Sequence, residues 1–358
     1  MYKNVKKVVH FGPSLEDKGG VVTVIKSILK LDFDNDIESE VIATTKENSK
    51  ILTFIKSIFI ILRKYVKGDV NIAHIHMASK GSFYRKSIVT LISKVFKIPV
   101  IIHVHGACFK EFYSGMNWIM KKYCKYVFDS ADNIIVLTES WKIFFSEITD
   151  EKKINIVSNF VFIPESIEEN KKDDKAIKNI LFMGRLGKRK GTFDLINAIE
   201  ILVNKTENFK LILAGDGEIE KCKAMVNEKK LEKFIDIVGW IDDEKKEQYL
   251  NNGDILVLPS YFESFGLSLV EAMSYKIPVI ASWGGEMSEV VRNNIDGLLI
   301  NPGDVEDLAD KLYILITDGK MRKKLGESGY DRVCSNFSNI SIKKKLINIY
   351  NLCIISMR

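Results

Sequence analysis

Glu263 and Glu271 stand with seven residues between them in D-I-L-V-L-P-S-Y-F-E-S-F-G-L-S-L-V-E-A-M-S, a stretch that begins at Asp254. Were every step between them helical, the rise would be about 12 Å. Carboxylates that far apart cannot share a proton, but they can hold the two ends of an extended ligand. The amides of Ser264, Phe265, Gly266 and Leu267 fall where a helix should begin, and unpaired N–H groups at a helix start favour an anion. Carboxylates on either side of an anion site suit a sugar nucleotide, with hydroxyls at both ends and a diphosphate between. The plainer alternative is that Glu263 complements the helix dipole and Glu271 is an exposed helical residue.

A second group able to handle phosphate lies in G-R-L-G-K-R-K-G-T, residues 184–192. The Arg185 guanidinium can bond two phosphate oxygens and the Lys190 ammonium adds a compact charge, so the pair can hold a diphosphate and stabilise it as a leaving group. Gly184 and Gly187 give the backbone freedom there. A solvated basic turn would carry the same letters. Neither G-x-G-x-x-G nor the P-loop pattern fits, which counts against a nicotinamide or ATP site. Gly19 and Gly20, ahead of a helical stretch, would also let a ligand approach the backbone, or form an ordinary turn.

All five histidines, His10, His74, His76, His103 and His105, fall at or near predicted strand ends. His103 and His105 alternate along one strand and face the same way. A chelating pair would need a third ligand, for which only Cys108 and Glu111 lie near in sequence, and no metal is expected. His103 is expected to be packed or hydrogen-bonded, and His74 and His76 to lie on the acceptor side.

The elements that must hold these groups are short apolar runs alternating with segments of helical period. Runs at 5–10, 41–44, 70–75, 100–105 and 134–137 are the expected strands of the first half, and 179–183, 210–214, 235–238, 255–258, 279–281 and 297–300 those of the second. Repeated β-α units predict an α/β protein of parallel sheets covered on both faces, with ligands at the carboxyl ends of the strands. At 358 residues the chain exceeds a single core. The charged stretch 164–178 is the best linker, giving domains at 1–165 and 166–340, with an amphipathic tail at 341–358.

Composition bounds the function. The chain is 46% hydrophobic and 28% charged, as in an ordered globular protein. A net charge of +6 permits attraction to phosphate or an anionic membrane, and no basic-aromatic reading module for nucleic acid is present. Five scattered cysteines without C-x-x-C suit a reducing, cytoplasmic setting, and the opening M-Y-K-N-V-K-K-V-V-H-F-G enters a strand without signal-peptide organisation. The segment 51–67, I-L-T-F-I-K-S-I-F-I-I-L-R-K-Y-V-K, is too short to span a bilayer, which takes about 20 residues. It suits either a crossover helix buried on the sheet or an interfacial helix with its lysines toward anionic lipid on the inner face of the membrane. W-I-M-K-K-Y-C-K-Y-V-F, 118–128, is a second basic and aromatic segment.

The string F-E-S-F-G-L-S-L-V-E-A-M-S and the later G-G-E-M-S-E-V-V resemble the E-x7-E segment of the retaining glycosyltransferases of family 4. That resemblance implies the GT-B fold: two Rossmann-like domains with an interdomain cleft and a last helix that crosses back to the first domain. It implies a retaining, metal-independent hexosyltransferase that moves a sugar from a nucleoside diphosphate, UDP rather than GDP, to an acceptor hydroxyl, with no cofactor. Glu263 and His105 would orient the donor sugar, Glu271 would bind the ribose, Arg185 and Lys190 the diphosphate, and Gly19, Gly20, Gly184, Gly215 and residues Ser264 to Leu267 would line the donor site. H-I-H-M-A-S-K-G-S-F-Y-R-K-S and H-V-H-G-A-C-F-K-E-F-Y resemble bacterial capsule and exopolysaccharide members, which implies a lipid-linked saccharide as acceptor. A nucleotide-sugar epimerase of the same fold is the alternative, and would release a free epimerised sugar nucleotide without an acceptor. A non-enzymatic sensor would bind donor without turnover.

Overall fold

The computed structural model describes residues 6–34, 36–106, 108–167 and 176–355. Most of the charged linker stretch, 168–175, therefore lies outside the described residues, as do the first five residues and the end of the tail. The chain divides into two compact units, the first made of the chain through Phe160 together with the segment from Asn339 onward, the second running from Val161 to Ser338.

The first unit begins β1 (Lys6–Pro13), α1 (Gly20–Leu29), β2 (Ile37–Thr45), α2 (Lys50–Lys67), β3 (Ile72–Met77), α3 (Gly81–Val95) and β4 (Val100–Val104). It continues with α4 (Phe109–Ser114), α5 (Trp118–Ser130), β5 (Asn133–Val136), α6 (Glu139–Ser146) and β6 (Ile154–Ile156). The second unit contains β7 (Lys178–Met183), α7 (Thr192–Val203), β8 (Phe209–Ala214), α8 (Ile219–Glu228), β9 (Ile235–Gly239), α9 (Asp243–Asn252) and β10 (Ile255–Leu258). Then come α10 (Leu267–Met273), β11 (Val279–Ser282), α11 (Met287–Val290), β12 (Gly297–Ile300), α12 (Val305–Thr317) and α13 (Gly319–Asn336). The last helix, α14 (Asn339–Ile355), belongs to the first unit.

Each unit holds one six-stranded sheet, in the order β2-β1-β3-β4-β5-β6 in the first and β12-β11-β10-β7-β8-β9 in the second. All the strand pairs are parallel. Strands covered on both faces lie out of water along their whole length, and β3 and β4 are buried at every position. In the first sheet, Val9, Phe11, Ala73, Ile75, Met77, Ile102 and Val104 face α2, α3, α5 and α6, where Ile61, Tyr65, Phe83, Val127, Phe128 and Phe145 complete one core. The opposite parity, Val8, Ile72, Ile101 and Ile135, packs on Val24 and Ile28 of α1 and on Ile342, Leu346, Ile349 and Tyr350 of α14. Burying such a layer at roughly 25 cal/mol per Å² is what binds a helix so late in the chain to the first sheet.

The strand orders locate the functional ends. In the second sheet the chain starts in the middle at β7, runs outward through β8 and β9, then returns to the other side of β7 with β10. Loops leaving β7 and β10 therefore diverge in opposite directions, and the gap between them at the carboxyl ends is the place where open α/β sheets take ligands. In the first sheet the corresponding reversal lies between β1 and β3.

Candidate active site

At the reversal in the second unit, the two loops that diverge are the ones that carry the sequence-picked charges. The β7 loop holds Gly184 to Lys190 and the β10 loop holds Pro259 to Gly266. They are stitched together by backbone and side chain. Tyr261 N–H donates to Arg189 O at 2.9 Å, and the Arg189 guanidinium donates to Phe262 O at 3.0 Å. Gly191 adopts a left-handed φ of 68°, and a Cβ there would collide with the Pro259 carbonyl, so only glycine allows the loops to meet this closely. The result is an ion pair between Lys190 Nζ and Glu263 Oε1, with the side chains 16% and 10% exposed. Arg189 Nη1 stands 3.8 Å from the same carboxylate oxygen.

Glu263 is fixed from behind as well: its carbonyl accepts from Glu286 N–H at 2.9 Å, tying the β10 loop to the G-G-E turn after β11. Gly184 N–H donates to Ala214 O and Gly215 N–H to Gly239 O, at 2.9 and 2.8 Å, so the glycine loops after β7, β8 and β9 lie side by side. A Cβ on Gly215 would strike the Gly184 carbonyl. Arg185 is exposed, and its guanidinium makes no hydrogen bond or ion pair among the described residues. Its Cγ lies beside Gly217, and an exposed guanidinium of this kind can bond two oxygens of an anion.

The helix α10 begins only at Leu267, because Gly266 takes φ 77° and breaks the turn before it. Glu263 is thus a loop residue, and the fully helical spacing of the two glutamates does not apply. Among the described residues the amides of Ser264, Phe265 and Gly266 find no backbone acceptor. Glu271 lies on α10 and pairs with Lys246 of α9 at 2.8 Å. Burial pushes the Lys246 ammonium down, but the Glu271 carboxylate and then Asp243 outweigh it and hold the group above the ordinary lysine range. Lys246 and Arg189 were not singled out from the sequence. Arg189 sits inside the basic loop beside the chosen Lys190, whereas Lys246, in the charged run D-D-E-K-K-E, carried no distinguishing signal.

In the first unit the five histidines come together. Each lies on the sheet face covered by α1 and α14, because His10, His74, His76 and His103 share the parity of Val8, Ile72 and Ile101, and the register sets His10 beside His74 and His76 beside His103. His10 and His74 are fully buried, His76 and His103 are 2% exposed and His105 9%. His74 and His76 have both ring nitrogens engaged by other side chains. His103 is hydrogen-bonded, to His74. Burial holds His10 and His105 down to about 3, and His74, His76 and His103 well below their ordinary value, the neighbouring rings adding to burial in those three. The group is neutral at physiological pH. Gly19, at φ 130°, precedes α1, and a Cβ on Gly19 or Gly20 would meet nothing, so the space before that turn is open.

Two parallel six-stranded sheets with flanking helices, and paired charges at the strand reversal of the second, define an α/β protein of GT-B fold. Residues 162–332 match the family described as glycosyl transferases group 1. It is 28% identical over 329 residues to an uncharacterised 41.2 kDa protein in the cps region of Klebsiella pneumoniae, covering 85% of this chain and 88% of that one. It is 25% identical over 325 residues to a Campylobacter jejuni alpha-1,4-N-acetyl-D-galactosaminyltransferase whose name gives a saccharide on PP-undecaprenol, covering 87% and 85%. Among solved structures, Anabaena HepE in complex with UDP and glucose superposes with a TM-score of 0.77 at 16% identity, over 97% of this chain and 99% of that one. That likeness extends the fold assignment to both units.

Proposed function

We propose that this chain is a retaining, metal-independent glycosyltransferase that passes a sugar from a nucleoside diphosphate, UDP rather than GDP, to a hydroxyl of a lipid-linked saccharide in capsule or exopolysaccharide assembly. The observation that carries the reading is the Lys190–Glu263 pair at the β7–β10 reversal, in a loop that also carries the exposed Arg185. The Lys190 ammonium is already held at the reversal by the carboxylate, and the larger negative charge of a diphosphate can draw it away. The arriving phosphates would draw Arg185 and Lys190, leaving the Glu263 carboxylate to accept hydrogen bonds from sugar hydroxyls. In the reaction the bond from the anomeric carbon to the β-phosphate oxygen breaks as the acceptor oxygen forms its bond on the same face. The acceptor proton passes to the departing phosphate, whose growing charge Arg185 and Lys190 stabilise. Glu271 would hold the ribose hydroxyls. By resemblance, His105 is proposed to serve the donor sugar and the Gly19–Gly20 turn the diphosphate.

Acceptor class and location rest on further observations. The name of the Campylobacter relative includes a PP-undecaprenol saccharide, and that of the Klebsiella relative a cps region. No helix among the described residues is long and apolar enough to cross a membrane. Helix α2 buries only Ser57, Ile61 and Tyr65, while Ile51, Phe59 and Val66 are 77%, 70% and 76% exposed among lysines. An amphipathic helix with that composition suits the surface of an anionic membrane on the cytoplasmic side.

The test offers a panel of nucleotide sugars with and without a polyprenyl-diphosphate saccharide, with and without EDTA, and reads products by mass spectrometry and anomeric configuration by NMR. Transfer to the lipid-linked acceptor with the donor's configuration kept, unaffected by EDTA, is the expected result. Inversion, or loss of activity with EDTA, would overturn those parts. Release of a free epimerised sugar nucleotide would overturn the transferase reading itself.

A further inference from the structure

The histidines of the first unit form two hydrogen-bonded chains. In one, His10 Nδ1 lies 3.1 Å from His76 Nε2, and His76 Nδ1 lies 2.8 Å from His105 Nε2. In the other, the Tyr350 hydroxyl of α14 lies 2.9 Å from His74 Nδ1, and His74 Nε2 lies 3.1 Å from His103 Nδ1. A metal site is the obvious competitor, since His10, His74 and His76, and likewise His76, His103 and His105, offer ring nitrogens within 4.8 Å of one another. Ring geometry separates the two cases. His10 and His76 have centroids 5.3 Å apart and an interplanar angle of 27°, and His76 and His105 have 5.1 Å and 21°. Rings so near coplanarity, with nitrogens that close and centroids that far apart, point the facing nitrogens straight at each other, as an N–H···N bond requires. Metal ligands aim instead at a shared point about 2 Å from each nitrogen.

Proton counting then fixes the direction. Three neutral imidazoles carry three ring protons. Two occupy the two N···N contacts, and the third must sit at one end of the chain, on His10 Nε2 or on His105 Nδ1. His10 Nε2 is buried with no partner, and an orphaned buried N–H is the costlier choice. His105 Nδ1 has no partner among the described residues and is not a buried atom. The low-cost arrangement is therefore His10 Nδ1–H donating to His76, His76 Nδ1–H donating to His105, and His105 Nδ1–H facing outward.

We propose that His76, itself oriented by His10, is a positioning residue that occupies His105 Nε2 and so locks His105 in the tautomer protonated at Nδ1. The carboxyl end of β4 then presents a fixed, neutral N–H donor to a substrate oxygen. Free histidine favours the opposite tautomer, so without the chain His105 would not hold this one. The functional half of the inference rests on the reading of His105 as a donor-sugar contact; the tautomer does not.

The experiment uses the full chain labelled with ¹⁵N-histidine, in long-range proton–nitrogen correlation spectra at neutral pH, beside donor kinetics. Wild type should show His76 and His105 as single Nδ1–H tautomers. His76→Asn keeps an amide N–H where His76 Nδ1 was, whereas His76→Leu, of similar size, removes it. In His76→Leu the single-tautomer signature of His105 should vanish and kcat fall about tenfold with donor KM within about twofold, while His76→Asn should keep the signature and stay within about threefold of wild-type kcat. Should His76→Leu not fold, the wild-type spectrum decides the tautomer alone. His105 protonated at Nε2 in wild type, or cobalt(II) titration that abolishes the chain with visible absorption bands, overturns the proposal. A lost signature with unchanged kcat overturns the positioning role. Absence of transfer by wild type would bear on the glycosyltransferase reading and leave the spectra to decide the tautomer.

Discussion

The two sheets reverse their strand order at equivalent places and fill those places with opposite chemistry. Between β7 and β10 the groups are charged and set against one another, Lys190 against Glu263, with Arg185 exposed beside them. Between β1 and β3, extending to β4, the groups are imidazoles held neutral by burial and bonded to one another. A diphosphate carries its charge into a site, so a receiving end suited to it supplies cations, as the loop with Arg185 and Lys190 does. Sugar hydroxyls bring no charge, and neutral donors held in one orientation are enough to recognise them. On the proposed reading, one architecture would serve two recognition problems by changing only what the strand ends carry.

The largest expected consequence is a difference in acid stability. A histidine held near 3 in the native state, against about 6.5 unfolded, binds fewer protons folded than unfolded between those values. The stability it permits is complete above about 6.5 and is lost as pH falls toward 3. All five histidines lie before Cys108, and the second unit has none. On acidification from pH 7 to 4, hydrogen exchange should therefore expose β1, β3 and β4 before β7 and β10. Simultaneous loss of protection in both sheets would break the contrast. Next in size is the charged reversal itself: Arg185→Ala should lower kcat by about 10²–10³ with native thermal stability, because the side chain is exposed and its proposed role is in the transition state. Transfer at near-wild-type rate by that variant would remove Arg185 from the chemistry.

Much of this arrangement was legible in the sequence, for reasons that differ by element. Alternating apolar runs and helical segments specify parallel sheets covered on both faces, and the spaced glutamates with Arg185 and Lys190 marked the β7 and β10 loops. What could not be read was contact across strands. His10 joins His76 only because β1 lies beside β3, an order no periodicity reveals. Lys246 meets Glu271 because α9 and α10 flank the same strand, though 25 positions separate the residues. The start of α10 was legible within a residue, but the distance between the glutamates was not, because Gly266 takes a left-handed backbone and leaves Glu263 in the loop.

Two lysines, one half-buried and one buried, sharpen the comparison further. Lys190 has a carboxylate; Lys86, on α3 and 1% exposed, has the Thr44 hydroxyl, and burial together with Arg85 brings it down to about 7. Its native value lies below the unfolded one, so the unfolded chain binds more protons between about 7 and 10.5 and stability rises with pH across that window. Lys86→Met should stabilise the protein by about 2 kcal/mol at pH 7, and the gain should shrink by pH 10. Lys190→Met, by contrast, strands Glu263 and should destabilise. A pH-independent Tm difference for Lys86→Met would show that the ammonium is not buried as described.

The smallest effect tests whether the second unit is uniform along the donor. Glu271 and Lys246 form a partly buried pair on neighbouring helices, away from the β7 loop in sequence and held by α9 and α10. If Glu271 holds the ribose, it binds the ground state and the transition state alike. Glu271→Ala should then raise donor KM about tenfold and leave kcat within about threefold, a loss of roughly 1.4 kcal/mol. Lys246→Met removes only the group that restrains the carboxylate, and its change in KM should stay below about threefold. A fall in kcat for Glu271→Ala as deep as that of Arg185→Ala would put Glu271 in the reaction itself, and the division of labour between the β10 loop and α10 would have to be redrawn.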